Sequence, residues 1–108
     1  MRIGITGSSG LIGTALRQRL EFEGHEVLRF VRGKPDEREA VWNPASGWLR
    51  PGTLERLDAV VHLAGESIGE GRWTPSRKAV LRASRIDSTR LLVGELARMA
   101  HPPALVAA

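Results

Sequence analysis

The sequence of 108 residues contains no cysteine and no tyrosine. Without cysteine there is no disulfide framework, no thiolate metal site and no cysteine nucleophile, which suits a reducing compartment. Without tyrosine, no phenol among these residues can act as an acid or base. No apolar run approaches the roughly 18 residues that cross a bilayer. The N-terminus carries one arginine and a short apolar stretch broken by glycine, so no signal peptide is expected. A cytoplasmic protein with no membrane partner is expected. Histidine, aspartate and glutamate do not cluster with ligand spacing, so no metal site is expected. Repeats and low-complexity segments are missing as well.

What is present is the balance of a globular protein, 42% apolar and 26% charged. The length suits one domain. The net charge is +4, yet the isoelectric point is about 11.0. With only two lysines, fourteen of the 16 basic residues are arginine, and nothing titrates between histidine and lysine. The high isoelectric point therefore reflects composition, and bulk binding of nucleic acid is not expected.

Short β-rich runs alternate with helical patterns, the mark of βαβ units. A first strand reads Met1 to Thr6 and stops at Gly7. A helix follows from Leu11 to Phe22, with Ile12, Ala15, Leu16, Arg19 and Leu20 on a nearly all-apolar face. Gly24 can take the left-handed conformation that ends it. A second strand reads Glu26 to Arg32. The stretch 33–51 is polar and broken by prolines, with a short strand expected at Ala40 to Trp42. Trp42 and Trp48 are expected to cover core or sheet edge. A short helix is expected from Thr53 to Leu57. The run Asp58 to Ala64 reads as a buried parallel strand, the fourth, ended by Gly65. Thr74-Pro75 opens a long helix as N-cap and N1, and His101-Pro102-Pro103 closes it near Ala100. Ala104 to Ala108 reads as the start of a fifth strand.

The most informative residues are Gly7-Ser8-Ser9-Gly10-Leu11-Ile12-Gly13. This G-x-x-G-x-x-G leaves a strand and opens a helix, the setting in which it signifies a dinucleotide site. Gly7 permits the tight turn, Gly10 lets the backbone approach a pyrophosphate, and Gly13 lets the helix pack against the sheet. The helix N-terminus offers free N–H groups to phosphate, and Ser8 and Ser9 can add hydroxyls. No Lys-Ser or Lys-Thr follows, so it is not a P-loop. NAD sites usually place an acid near the end of the second strand, on the ribose. Here that place reads Phe30-Val31-Arg32-Gly33-Lys34, two cations and no acid. A guanidinium there suits a 2′-phosphate, which favours NADP over NAD. A solvated arginine is the plainer alternative, and Asp36 could serve the ribose instead.

Taken together, Thr6 to Gly13, Gly24-His-Glu-Val27, Val31-Arg32 and Asp58-Ala-Val-Val-His-Leu-Ala-Gly-Glu66 resemble the extended short-chain dehydrogenase/reductases. Gly71-Arg-Trp-Thr74, Ser84-Arg85 and Thr89 sharpen this to the nucleoside-diphosphate-sugar epimerase-like branch. The resemblance covers Met1 to Ala108. It implies a Rossmann-type parallel sheet with flanking helices that binds NADP(H). It places Gly7, Ser8, Gly10, Leu11 and Ile12 on the pyrophosphate, and Val31 and Arg32 at the adenosine side. Leu63, Ala64 and Gly65 fall near the ribose, with Glu66 and Arg85 within reach of cofactor or substrate; a surface charge or salt bridge is the alternative for those two.

The family pattern uses a Tyr-x-x-x-Lys pair and a Ser or Thr after the fifth strand. No tyrosine is present, so no catalytic residue is assigned here. The resemblance therefore implies the cofactor-binding N-terminal portion of a longer protein of about 300 residues. The whole protein would be an NAD(P)-dependent epimerase/dehydratase-like oxidoreductase. Its substrate would be nucleotide-sugar-like or another small carbonyl or hydroxyl compound. A non-catalytic module that senses NADP or contacts a protein is the second reading. A third, RNA binding, would use Arg72, Arg77, Lys78, Arg82, Arg85, Arg90 and Arg98, although such a stripe more often lies solvated over its own helix. His62, in an apolar strand, reads as a satisfied core histidine, and His25 and His101 as structural. An unpaired edge at the fifth strand invites association.

Overall fold

The computed structural model describes residues 1–8, 10–32, 39–44, 46–63 and 74–107. Its elements are β1 (Arg2–Thr6), α1 (Leu11–Phe22), β2 (Glu26–Val31), β3 (Glu39–Asn43), β4 (Trp48–Leu49), a 3-10 turn (Leu54–Arg56), β5 (Ala59–His62), α2 (Pro75–Ala97) and β6 (Ala104–Ala107). They form one six-stranded sheet in the order β4-β3-β2-β1-β5-β6. All pairings are parallel except β3 with β4, which is antiparallel. A parallel sheet that runs outward from β1 through β2 and β3, then returns to β5 and β6 on the other side, is a Rossmann-type α/β fold.

The register explains why β1 is apolar on both faces. Ile3 lies opposite Val27 on one side and Ala59 on the other. Ile3, Gly4, Ile5 and Thr6 are all buried. On one face, Ile3, Ile5 and Val27 pack with Leu16 and Leu20 of α1. On the other, Phe30, Trp42, Leu54, Leu57 and Val60 pack with Leu92 and Leu96 of α2. Two helices thus cover two faces, which gives each its hydrophobic core.

The chain ends α1 as its glycine allows. Gly24 has φ +89°. The Gly24 N–H donates to Glu21 O and the His25 N–H donates to Leu20 O, both at 3.0 Å, a Schellman closure. At α2, the Lys78 N–H donates to the Thr74 carbonyl at 3.0 Å, which sets Thr74 at the N-cap and Pro75 at N1.

Several expectations need correction. The inward face of α1 is Gly13, Leu16, Arg17 and Leu20, not the face that begins at Ile12. Ile12 is 70% exposed and Ala15 is exposed too, because the helix axis rotates to seat Gly13 on the turn below it. The second strand stops at Val31, leaving Arg32 just beyond it. The fourth predicted strand spans only Ala59–His62, and the long helix stops at Ala97. The two-residue strand β4 escaped the sequence reading, since two residues carry no periodicity. Trp42 is core, whereas Trp48 in that strand is 45% exposed.

Candidate dinucleotide site

The site is built where the strand order reverses, at the C-terminal ends of β1 and β5. Gly7 leaves β1 with φ +69°, a conformation that favours glycine. The Gly10 N–H donates to Gly7 O at 3.2 Å and closes the turn. Thr14 donates its hydroxyl to Ser8 O at 3.2 Å and ties the turn to the first helical turn. Gly13 sits hard against that loop: a Cβ there would lie 2.2 Å from Gly7 O. The close packing is therefore helix against turn, rather than helix against sheet as the sequence suggested. Among the described residues, a Cβ on Gly10 would meet only Gly7 O, at 3.5 Å.

Gly10 is the N-cap of α1, and no side chain caps this end. The first turn carries no acid. The amide groups and the positive end of the helix dipole can thus take an external anion, with no carboxylate of the first turn in competition. Leu11 is 90% exposed and Ile12 70% exposed at this mouth. Ser8 is buried in the turn. Across the strand ends, Val31 is half-buried and Arg32 exposed, directly after β2. Leu63 is half-buried, directly after β5. Among the described residues, the end of β2 offers a cation and no acid. The described residues fit a phosphorylated dinucleotide: a helix start with no side-chain cap, a glycine turn beneath it, and a guanidinium just past β2.

The structure brings Gly7, Ser8, Gly10, Leu11, Ile12 and Gly13 together in one turn, with Leu63 after the neighbouring strand. Ser9, Ala64 and Gly65 lie outside the described residues, as do Gly33, Lys34, Asp36, Glu66 and Arg72. Arg85 stands exposed on α2, beside a groove of about 660 Å³ that it lines with Ile86, Thr89, Arg90, Val93 and Gly94. Among the described residues no group of His, Asp and Glu could hold a metal ion. No helix of the described residues is long and apolar enough to cross a membrane.

Below the site lies a polar cluster whose extent the sequence did not disclose. His62, at the end of β5, is 5% exposed. Its Nδ1 is 2.7 Å from the Thr6 hydroxyl oxygen, and its Nε2 is 3.1 Å from that of Thr89 and 3.3 Å from that of Ser88. The histidine is thus satisfied, as expected of a core position. Burial first, and the charge of Arg85 second, hold its pKa below the ordinary value. The signal that could have found its partners was Ser88, which shares the inward spacing of Leu92 and Leu96. Gly4 was also missed: a Cβ there would lie 2.7 Å from Leu57 Cδ1 and 2.9 Å from Phe30 Cε1. A glycine inside a strand often marks such a close approach.

Comparison with known proteins places this geometry. A model of the NAD dependent epimerase/dehydratase family matches residues 3–108. An epimerase family protein of Mycobacterium tuberculosis is 46% identical over 96 residues, covering 88% of this chain and 32% of the relative. The crystal structure of human epimerase family protein SDR39U1 with NADPH is similar at a TM-score of 0.79 and 37% identity, covering 99% of this chain and 36% of that one. A short-chain dehydrogenase/reductase superfamily protein from Agrobacterium tumefaciens with bound NAD superposes with a TM-score of 0.61 at 26% identity, covering 90% of this chain and 29% of that one. The chain spans about a third of the length of the relatives it matches.

Proposed function

The chain belongs to the NAD dependent epimerase/dehydratase family, and we propose on that footing that it is the NADP(H)-binding part of a longer epimerase/dehydratase-like oxidoreductase. The observation that carries the reading is the uncapped, acid-free start of α1 seated on the Gly7–Gly13 turn. Gly7, Ser8, Ser9, Gly10, Leu11, Ile12 and Gly13 hold the pyrophosphate. Val31 packs on the adenosine and Arg32 pairs with the 2′-phosphate, with NAD the alternative cofactor. Leu63, Ala64 and Gly65 border the ribose, and Arg85 reaches toward the cofactor from α2. The NADPH bound by the similar human protein supports the choice of cofactor.

When bound, the nicotinamide supplies or accepts the hydride. This chain's own residues bind and orient. Backbone N–H groups at the start of α1 neutralise phosphate charge without the desolvation that a buried lysine would need. Exposed Leu11 and Ile12 cover the apolar faces of the ligand and exclude water. No tyrosine is present, so the proton-transfer partner expected of the family is not among these residues. The substrate of the whole protein is proposed, on family membership alone, to be nucleotide-sugar-like or a similar small carbonyl or hydroxyl compound, turned over in the cytoplasm.

The test is calorimetric titration of the chain with NADP⁺ and NAD⁺. NADP⁺ should bind more tightly, and Arg32→Glu should reverse that order by loss of a charge-assisted pair. An unchanged preference in Arg32→Glu removes Arg32 from the site.

A further inference from the structure

His62 joins three elements through one ring. Thr6 and His62 are the last residues of β1 and β5, and they lie opposite each other in the sheet. Both lead directly into the candidate dinucleotide site, β1 into Gly7 and β5 into Leu63. On the far side of the ring stand Ser88 and Thr89 of α2. The edge of Trp42 closes the third side, with ring centroids 6.4 Å apart.

The proton positions follow from the partners. The Leu63 N–H donates to the Thr6 hydroxyl oxygen at 2.9 Å, so that oxygen already accepts a hydrogen bond. That oxygen keeps a second lone pair, so the Thr6 hydroxyl fits His62 Nδ1 either as donor or as acceptor. Ser88 donates its own proton to Arg85 O at 3.2 Å and offers its lone pairs to Nε2. The helix end thus specifies the tautomer of the neutral ring, with Nε2–H as donor and Nδ1 left to accept from the Thr6 hydroxyl. The relay runs from the Leu63 amide through Thr6 and His62 to the backbone carbonyl of Arg85.

Helix α2 meets the ends of β1 and β5 through this cluster. Leu92 and Leu96 anchor the second half in the core. About one turn before them, Ser88 and Thr89 meet the His62 ring. We propose that His62 is a positioning residue for the dinucleotide groove, its Nε2–H tautomer tying the Arg85–Thr89 turn of α2 to the C-terminal ends of β1 and β5. This rests on the cofactor reading above. Among the described residues, the groups that face the ring are Thr6 from β1, Trp42 from β3, and Ser88, Thr89 and the charge of Arg85 from α2. A proton added at Nδ1 would face the Thr6 oxygen, force its hydroxyl to turn away, and place a second positive charge near Arg85.

The test combines imidazole nitrogen NMR with NADP⁺ titration of the chain. The NMR spectrum of the wild type should show His62 neutral at pH 7 with the proton on Nε2. His62→Ala should weaken NADP⁺ binding about tenfold, the order expected for a lost buried hydrogen-bonded link. His62→Gln, which keeps a donor toward Thr89, should recover most of it. If His62→Ala does not fold, Thr89→Val together with Ser88→Ala removes the helix end of the tie while His62 stays in place, and should weaken binding in the same direction. Below pH 6.5 the wild type should lose affinity more steeply than His62→Gln, a difference that cancels titration of the ligand phosphate. An Nδ1–H tautomer, or a folded His62→Ala with unchanged affinity, overturns the positioning role and leaves the cofactor reading standing. A folded wild type that binds neither NADP⁺ nor NAD⁺ overturns both.

Discussion

A methyl group on Gly13 would lie 2.2 Å from Gly7 O and 2.8 Å from Ser8 Cα. Both neighbours are backbone, so neither can swing aside. Gly13→Ala should cost at least about 1–3 kcal/mol by overpacking, read as a lowered urea midpoint, and should abolish dinucleotide binding as the turn is pushed open. Gly4 is crowded by side chains instead, whose tips can move, so an alanine there meets a softer wall. At His62 the sign of the pH effect follows from the lowered folded-state pKa. The neutral ring is favoured in the folded state, so its stability contribution is complete above about pH 6.5. It is lost as pH falls from there through the lowered folded value. Urea unfolding from pH 7.5 down to 5 should therefore show a steeper acid loss for wild type than for His62→Gln. Equal slopes would mean that His62 does not carry the effect.

The two tryptophans show how an element decides a residue's worth. Trp42 on β3 is 4% exposed, with its ring edge-on to Phe30 at 5.3 Å between centroids. Trp42→Ala should cost about 3–5 kcal/mol, the range for emptying a large aromatic site. Trp48 lies on the two-residue strand β4 and is 45% exposed. Trp48→Ala should cost less than about 1 kcal/mol, as surface changes do. Denaturant melts of the two variants check the pair; similar losses would place Trp48 in the core. Helix α1 carries the opposite lesson. Its length and both ends were legible, because glycines mark them. Its inward face was not, because the apolar residues Leu11 and Ile12 turn outward at the mouth of the site.

Among the described residues the strand order ends at β6, which pairs with β5 through Ala59–Ala104 to His62–Ala107. Leu105 packs into the core, while Val106 is 56% exposed. A terminal strand with an exposed valine is a template for further pairing. Sedimentation of this chain should show concentration-dependent association, and Val106→Lys should reduce it. A wild type that stays monomeric at high concentration would contradict this.

Alternating strand and helix patterns, the glycine turn and the cationic end of β2 were readable residue by residue, because each is local. Backbone conformation at Gly7 and Gly24, and the N-cap role of Thr74, depend on a few neighbours in the chain. They therefore survive without tertiary context. The sheet order, the rotation of α1 onto Gly13 and the separate fates of Trp42 and Trp48 depend on which surfaces meet. So does the link from Thr6 through His62 to Ser88 and Thr89, which joins residues 56 and 26 apart in sequence. Local conformational preference is written in short stretches of chain, whereas close packing and shared protons exist only once distant segments lie side by side.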